Sequence, residues 1–341
     1  MKLRDYILRR ILLSIPVVIG VLAITFVLAY VIGNPVAMYI DEKTPSSAIP
    51  GIIAQHGLDQ PVYVQFFYYL RDLFRGDWGY SRTSGASVII TIQRFFPATI
   101  ELSIFAMVIS VAVGIPLGII SATRKDQLAD HVTRVVSLLG VSMPIFWFAL
   151  MLKYVLYYQF FIWGLPHMPD GYRYSFIYIN YEPITNFILI DSIITGNGVL
   201  FFDALLHIAM PAVCLGYLVL AVITRMMRSS MLEVMKEDYI TLARSKGLRE
   251  RVVIYRHALR NAMIPTMTVI GLAFGGLITG AVLTETIFQW PGLGRWATTA
   301  ILTSDIPSIN AFTLLVAFIF VTANLLVDLI YGVLDPRIRF G

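Results

Sequence analysis

Few side chains in this sequence stand at spacings that support catalysis. The dipeptide Gly-Lys never occurs, so the chain lacks the G-x-x-x-x-G-K-[ST] loop with which P-loop enzymes hold ATP. Ser142 precedes a predicted proline kink at Pro144 instead of occupying a nucleophile elbow, and the single cysteine, Cys214, lies in an apolar run. No two histidines have metal-ligand spacing; they are His56, His131, His167, His207 and His257. The residues predict no catalytic centre, metal site or cofactor in this chain.

The most polar part of the chain is residues 225–265, which carries nine Lys/Arg against four Asp/Glu in a protein with only 14% charged residues. Long apolar segments flank it on both sides. A basic element in this position favours docking to a cytoplasmic partner. The plainer alternative is an ordinary positively charged loop on the inner side of a membrane.

Within this stretch the sequence predicts a helix–turn–helix unit, which we call the cytoplasmic elbow, residues 229–263. A first helix is predicted from Met231 to Lys246 and a second over 248–263, with Gly247 as a left-handed corner between them. Pro265 is expected to open the next membrane span. Two helical faces are predicted: Met235, Tyr239, Leu242 and Lys246 line one face of the first helix, and Val252, Tyr255, Leu259 and Ala262 line one face of the second.

The composition predicts an integral membrane protein, since 57% of the 341 residues are hydrophobic. The N-terminal apolar run is too long for a signal peptide and is expected to be an uncleaved first span. A span needs about 20 apolar residues. Six segments qualify: 11–32, 98–123, 133–160, 205–227, 265–287 and 309–333.

The distribution of basic residues predicts that both termini are cytoplasmic. With that topology, 18 of the 26 Lys/Arg fall on the inner side, including Arg337 and Arg339 of the tail. Two long stretches are then external, 33–97 and the aromatic-rich 161–204. An amphipathic helix, Val62 to Phe74, is expected in the first. The second is either a lid or a docking surface for a binding protein, or a plain aromatic belt. The net charge of +5 matches membrane topology and does not indicate nucleic-acid binding.

Charged residues inside or beside the spans are candidates for function because they are costly in lipid. They are Glu101, Lys153, Glu285 and Asp328. Lys153, the deepest, either lines a translocation path or pairs with an acid on another helix. In the fifth span Gly271, Gly275, Gly276 and Gly280 form a stripe of small residues, for close packing or for lining a cavity. The candidate substrate-path residues are Lys153, Gly276, Gly280 and Glu285.

Several motifs of the sequence resemble those of ABC-importer permeases. Ala243 and Gly247 form A-x-x-x-G, similar to the EAA loop of that family, although its usual acidic position is Thr241, followed by Leu242. The wider strings resemble the dipeptide/oligopeptide branch. They include GLDQPVYVQFFYYL (57–70), DYITLARSKG (238–247), RHALRNAMIP (256–265), TETIFQWPGLG (284–294) and VDLIYGVLDPRIR (327–339).

The resemblance implies an all-α membrane fold with six transmembrane helices, a type I ABC importer transmembrane domain with a coupling-helix (EAA) loop. It divides the chain into a tail with the first span (1–32), an extracytoplasmic segment (33–97), a five-helix core (98–333) and a C-terminal tail (334–341). It assigns ATPase coupling to Glu237, Asp238, Tyr239, Thr241, Ala243, Arg244, Lys246, Gly247 and Leu248.

The resemblance also implies the partners and the location. They are a second homologous permease, two ATP-binding cassette subunits that carry ATP and Mg, an extracytoplasmic solute-binding protein and the lipid of a prokaryotic cell membrane, with no nucleic acid. The expected function is one half of a translocation pathway for di- or oligopeptides. The same machinery could instead import oligosaccharides or another solute. The competing classes are a secondary carrier or channel without ATPase partners and an intramembrane enzyme.

Overall fold

The computed structural model describes residues 3–32, 35–40, 44–178 and 180–334. The tail with Arg337 and Arg339 and the side chain of Asp328 lie outside the described residues. Within the described ranges six helical segments are long and apolar enough to cross a membrane, which confirms the predicted number. They are Ile11–Val31, Val88–Thr123, Ile145–Ile162, Gly198–Val234, Glu250–Gly280 and Ile306–Leu325.

The described part of the chain is mostly helical and contains one short hairpin. The α-helices are α1 (Leu3–Phe26), α2 (Ile49–His56), α3 (Val62–Phe74), α4 (Val88–Thr123), α5 (Leu128–Ser142), α6 (Ile145–Leu152), α7 (Phe160–Ile162), α8 (Ile188–Ile194), α9 (Gly198–Val234), α10 (Asp238–Ser245), α11 (Glu250–Val252), α12 (Leu259–Gly280), α13 (Val282–Ile287), α14 (Leu293–Leu302) and α15 (Ile306–Leu334). Strands β1 (Tyr80–Ser81) and β2 (Ala86–Ser87) pair antiparallel, with Tyr80 opposite Ser87. Wider π-helical turns occupy Val27–Ile32, Lys153–Gln159 and Val253–Ala258, and 3₁₀ turns occupy Pro35–Met38, Ser46–Ala48 and Phe176–Tyr178.

The predicted helix Val62 to Phe74 has those bounds in the structure. The second and fourth spans are longer than predicted, because α4 begins at Val88 and α9 begins at Gly198. Pro97 lies inside α4, and the side chain of Ser87 caps the helix by accepting from the Ile90 amide. Both helices therefore extend beyond the apolar segments that indicated them.

The centre of the fold is the packing of α4 against α9. Gly118 makes this close approach possible, since a β-carbon there would lie 2.6 Å from Cβ of Met227. The Ser110 hydroxyl donates across the same interface to the Gly216 carbonyl at 2.8 Å. Small residues thus bring two long helices together, α5 and α12 pack against both of them, and α15 packs on α12.

The third span is broken at Pro144, where the sequence predicted a kink. The α5 helix ends at Ser142, and Pro144 is extended, with φ −63° and ψ 134°. Proline has no amide hydrogen and keeps the preceding residue out of the helical region. The hydroxyl of Tyr217 in α9 donates to the freed carbonyl of Met143. The break therefore has a polar partner inside the bundle.

Candidate functional site

The cytoplasmic elbow begins with a helix break that was not predicted from the sequence. The predicted helix from Met231 to Lys246 is wrong: α9 ends at Val234 and α10 begins at Asp238. The carbonyl of Glu237 accepts from the amides of Ile240 at 3.0 Å and Thr241 at 3.3 Å, which starts the new helix. Because the chain turns here, α10 is a separate element and not an extension of the fourth span.

One face of α10 is buried against the ends of the spans. Ile240 is 0% exposed and Ala243 is 6% exposed. They form one apolar cluster with Met227 and Met231 of α9 and Ala262 of α12. Burying an isoleucine side chain stabilises by about 1.5–3 kcal/mol. This cluster fixes α10 to two spans at once.

The opposite face of α10 is open. Tyr239 and Leu242 of the predicted face of the first helix are exposed, Leu242 by 56%, while Met235 lies in the break between α9 and α10. Among the predicted coupling residues, Ala243 is buried and the others are exposed. The exposed ones are Glu237, Asp238, Tyr239, Thr241, Arg244, Lys246, Gly247 and Leu248. The surface combines two apolar side chains with a rim of charge, a composition suited to a protein partner.

The predicted corner at Gly247 is confirmed. Its φ of +74° is left-handed, a conformation that glycine adopts without a β-carbon clash. A bidentate ion pair crosses this corner, with Arg244 Nη2 at 2.7 Å and Nε at 3.2 Å from the carboxylate of Glu250. Both side chains are substantially exposed, so the ion pair adds little to the free energy of folding and mainly orients the two sides of the corner.

The second helix of the elbow is continuous with the fifth span. Helix runs from Glu250 to Gly280, and Pro265 lies inside it, so the expectation that this proline opens the span is wrong. The predicted face is also wrong at Val252 and Tyr255, which are exposed.

A π-helical turn explains the difference in that face. It inserts one residue into Val253–Ala258, which shifts the buried register relative to a 3.6-residue period. The buried positions become Val253, Ala258 and Ala262.

A hydrogen bond joins the two arms of the elbow. The side-chain amide of Asn261 in α12 donates to the Tyr239 hydroxyl in α10 at 2.6 Å. Together with the apolar cluster under Ile240 and Ala243, it holds α10 in a fixed orientation to the fifth span. These contacts pack α10 and the start of the fifth span into one unit.

At the far end of the fifth span Glu285 organises a turn. Its carboxylate accepts from the Thr99 hydroxyl at 2.6 Å and from the amides of Gly294 at 2.7 Å and Arg295 at 3.0 Å. Those two amides begin α14, where a carboxylate is favourable. Glu285 is 0% exposed, so it offers no atom to a solute in this conformation.

The 161–204 stretch is tied to the spans by ion pairs. Lys153 binds Asp170 at 2.8 Å and also donates to the Ile287 carbonyl at 3.2 Å. Its partner acid thus lies in this stretch and not on another spanning helix. The guanidinium of Arg173 binds Glu101 of α4 at 2.5 Å, and both side chains are buried. These contacts make the stretch a cap packed on the bundle, and its role towards a binding protein stays a prediction.

The glycine stripe of the fifth span divides into a packed part and an open part. A β-carbon on Gly275 would lie 3.2 Å from Ala323 of α15, whereas nothing lies within 4 Å of one on Gly276 or Gly280. The last two therefore remain candidates for a face that lines a path.

Two ion pairs with buried carboxylates were not predicted as pairs from the sequence. The Glu101–Arg173 contact joins residues 72 positions apart, and Asp130 binds Arg228 from 98 positions away at 2.8 and 2.9 Å. Glu101 was recognisable as a charge within an apolar segment. Its partner, and both members of the second pair, were hidden by their distance along the chain.

Comparison with known proteins decides the class of the molecule. Residues 114–340 match the family model described as the binding-protein-dependent transport system inner membrane component. Residues 3–103 match the N-terminal model of the same component. The chain belongs to this family. It has the fold of a type I ABC transporter permease, as predicted.

Relatives match over almost their whole length. The chain is 44% identical to the dipeptide transport system permease protein DppB of Escherichia coli over 337 residues, 98% of each chain. It is 43% identical to the di/tripeptide transport system permease protein DppB of Pseudomonas aeruginosa, covering 98% of each chain. It is 33% identical to the oligopeptide transport system permease protein AppB of Bacillus subtilis, covering 98% of this chain and 99% of that one.

Family membership fixes the general role of the chain. It is an inner-membrane permease component of a bacterial transport system, and it works with a binding protein and an ATPase. Within that system it is the membrane permease subunit.

Proposed function

We propose that this permease forms one half of a pathway that imports di- or oligopeptides. Relatives over the full length are named for dipeptide, di/tripeptide and oligopeptide transport. The proposal includes a second, homologous permease that supplies the other half. Two ATP-binding cassette subunits hold ATP and Mg, and an extracytoplasmic protein delivers the peptide. Both termini lie in the cytoplasm.

The packing of α10 on the spans supports a mechanism by which ATP drives this transport. Closure of the two ATPase subunits displaces α10 through the exposed residues Tyr239, Leu242 and Lys246. Because Ile240 and Ala243 are packed on α9 and α12, the spans rotate with α10 instead of α10 bending away. The pathway then opens outward to receive the peptide, and ATP hydrolysis resets it inward.

A reconstituted system tests this function. The permease, its partner permease, the ATPase subunits and the binding protein are placed in liposomes with ATP inside the compartment that faces the cytoplasmic elbow. Uptake of a labelled dipeptide is expected only with ATP and binding protein present. Uptake driven by an ion gradient without ATP, or a binding protein that purifies with sugar and no peptide by mass spectrometry, would contradict the proposal.

A further inference from the structure

A cavity of about 420 Å³ lies between α5 and α9, beside the turn that joins α4 to α5. Arginine and aliphatic side chains both line it. The arginines are Arg134, Arg225 and Arg228, and the aliphatic wall includes Val135, Leu138 and Val141. None of the contacts described for the cytoplasmic elbow uses this cavity.

The lining changes from charged to apolar along the cavity. The α5 helix leaves the α4–α5 turn at Leu128, so Leu138 and Val141 lie about 6 and 10 Å further along its axis than Arg134. The α9 helix runs towards the same turn, which places Arg225 nearer the turn than Ala221 of the wall. The charged end therefore faces the turn and the apolar end faces the middle of the membrane.

The charge at this end is only partly neutralised within the described residues. Arg228 is bound by Asp130, which also accepts from the Ser121 hydroxyl at 2.6 Å and the Asp126 amide at 3.0 Å. Arg134 and Arg225 have no ion-pair partner in the described part of the chain, and both are exposed. Two positive charges thus remain available to a ligand.

We propose that this cavity binds an anionic phospholipid of the cytoplasmic leaflet. The phosphate lies between Arg134 and Arg225, and the first part of an acyl chain follows Leu138 and Val141. This leaflet carries the negative lipids, and basic pockets between spans select their headgroups. A peptide fits less well, because its backbone would lose hydrogen bonds along the aliphatic wall. The inference depends on the α4–α5 turn being cytoplasmic and not on the identity of the cargo.

Lipid retention by the assembled complex tests the site. The complex is reconstituted with equal parts of phosphatidylglycerol and phosphatidylcholine, extracted, and analysed by native mass spectrometry. The wild type is expected to retain phosphatidylglycerol in preference to phosphatidylcholine. Arg134→Gln and Arg225→Gln should each lower that retention about fivefold, and the double variant about 25-fold. Arg225→Lys keeps the charge and should stay near the wild type.

The matched control is Arg249→Gln, which removes an exposed arginine of the elbow that does not line the cavity. It should leave retention unchanged, and equal assembly of all variants is checked by size-exclusion chromatography. Three results would overturn the inference: equal retention of both lipids, undiminished retention by the double variant, or complete displacement by inorganic phosphate. Cross-linking that places the second permease in the cavity would do so as well.

Discussion

At the scale of single residues the elbow depends on the backbone of Gly247. Its left-handed φ of +74° lets the chain reverse within a few residues, so that Arg244 can reach Glu250. A β-carbon built on Gly247 would meet no heavy atom within 4 Å, so only the backbone conformation demands glycine. A substitution here changes the conformation of the corner without disturbing any packed neighbour.

Replacing Gly247 with valine should uncouple ATP hydrolysis from uptake. A β-branched residue at positive φ costs at least about 1–2 kcal/mol, so the corner relaxes to another conformation and α10 loses its orientation. The ratio of dipeptide imported to ATP hydrolysed in proteoliposomes should fall, with the spans still inserted. Gly247→Asn, which tolerates the left-handed region, should retain most coupling. Normal uptake by the valine variant would count against the role of the corner.

Replacing Glu285 with glutamine should lower the stability of the complex. The three groups around the carboxylate all donate hydrogen bonds, and a glutamine side chain would present an N–H to at least one of them. An unsatisfied buried donor costs about 1–3 kcal/mol. The melting temperature of the purified complex should fall, while Glu182→Gln at an exposed position of the 161–204 stretch should not change it. Equal melting temperatures would contradict this role.

At the scale of elements the important contact is the buried face of α10. Ala243→Asp would place a carboxylate among the apolar side chains of Met227, Met231 and Ala262, where burial of a charge is costly. We expect α10 to detach and the ATPase subunits to dissociate, measured as loss of co-purification. Ser245→Asp adds the same charge to the exposed face of this helix and should keep the complex intact. A stable Ala243→Asp complex with wild-type activity would exclude this model of docking.

The α4–α9 interface gives a second prediction at this scale. Gly118→Ala should destabilise the chain, because its β-carbon would lie 2.6 Å from Met227 Cβ and 2.8 Å from the Thr224 carbonyl oxygen. Gly276→Ala is the matched control, since it meets nothing within 4 Å and gains helix propensity. Thermal unfolding of both variants checks the difference. An unaltered Gly118→Ala protein would show that these helices can separate without cost.

Sequence patterns predicted which elements exist better than where a helix ends or which of its faces is buried. Six spans, the break at Pro144 and the corner at Gly247 follow from hydropathy and from the special backbones of proline and glycine. The break after Val234 does not, because Met235, Lys236 and Glu237 are ordinary helix formers. The π-helical turn at Val253–Ala258, which shifts the buried face of the second helix of the elbow, likewise has no sequence signal.

At the scale of the whole molecule the topology can be tested with one thiol. Cys214 is fully buried and should not react with a maleimide, whereas a cysteine introduced at the exposed position Ser245 should react. A membrane-impermeant maleimide should label Ser245→Cys only in inside-out vesicles and Glu182→Cys only in intact cells. Labelling of Ser245→Cys from the exterior would invert the topology and remove the elbow from any cytoplasmic partner.

At this scale α10 and the fifth span are expected to move together when ATP binds. Spin labels at Ser245→Cys and at the exposed Leu272→Cys of α12 measure that relation by electron resonance, in nucleotide-free and ATP-trapped complexes. A further label on the cytoplasmic side of the second permease reports movement between the two halves. We predict that the Ser245–Leu272 distance stays constant while the distance from Ser245 to the second permease shortens. A change between Ser245 and Leu272 with the two halves fixed would contradict the account.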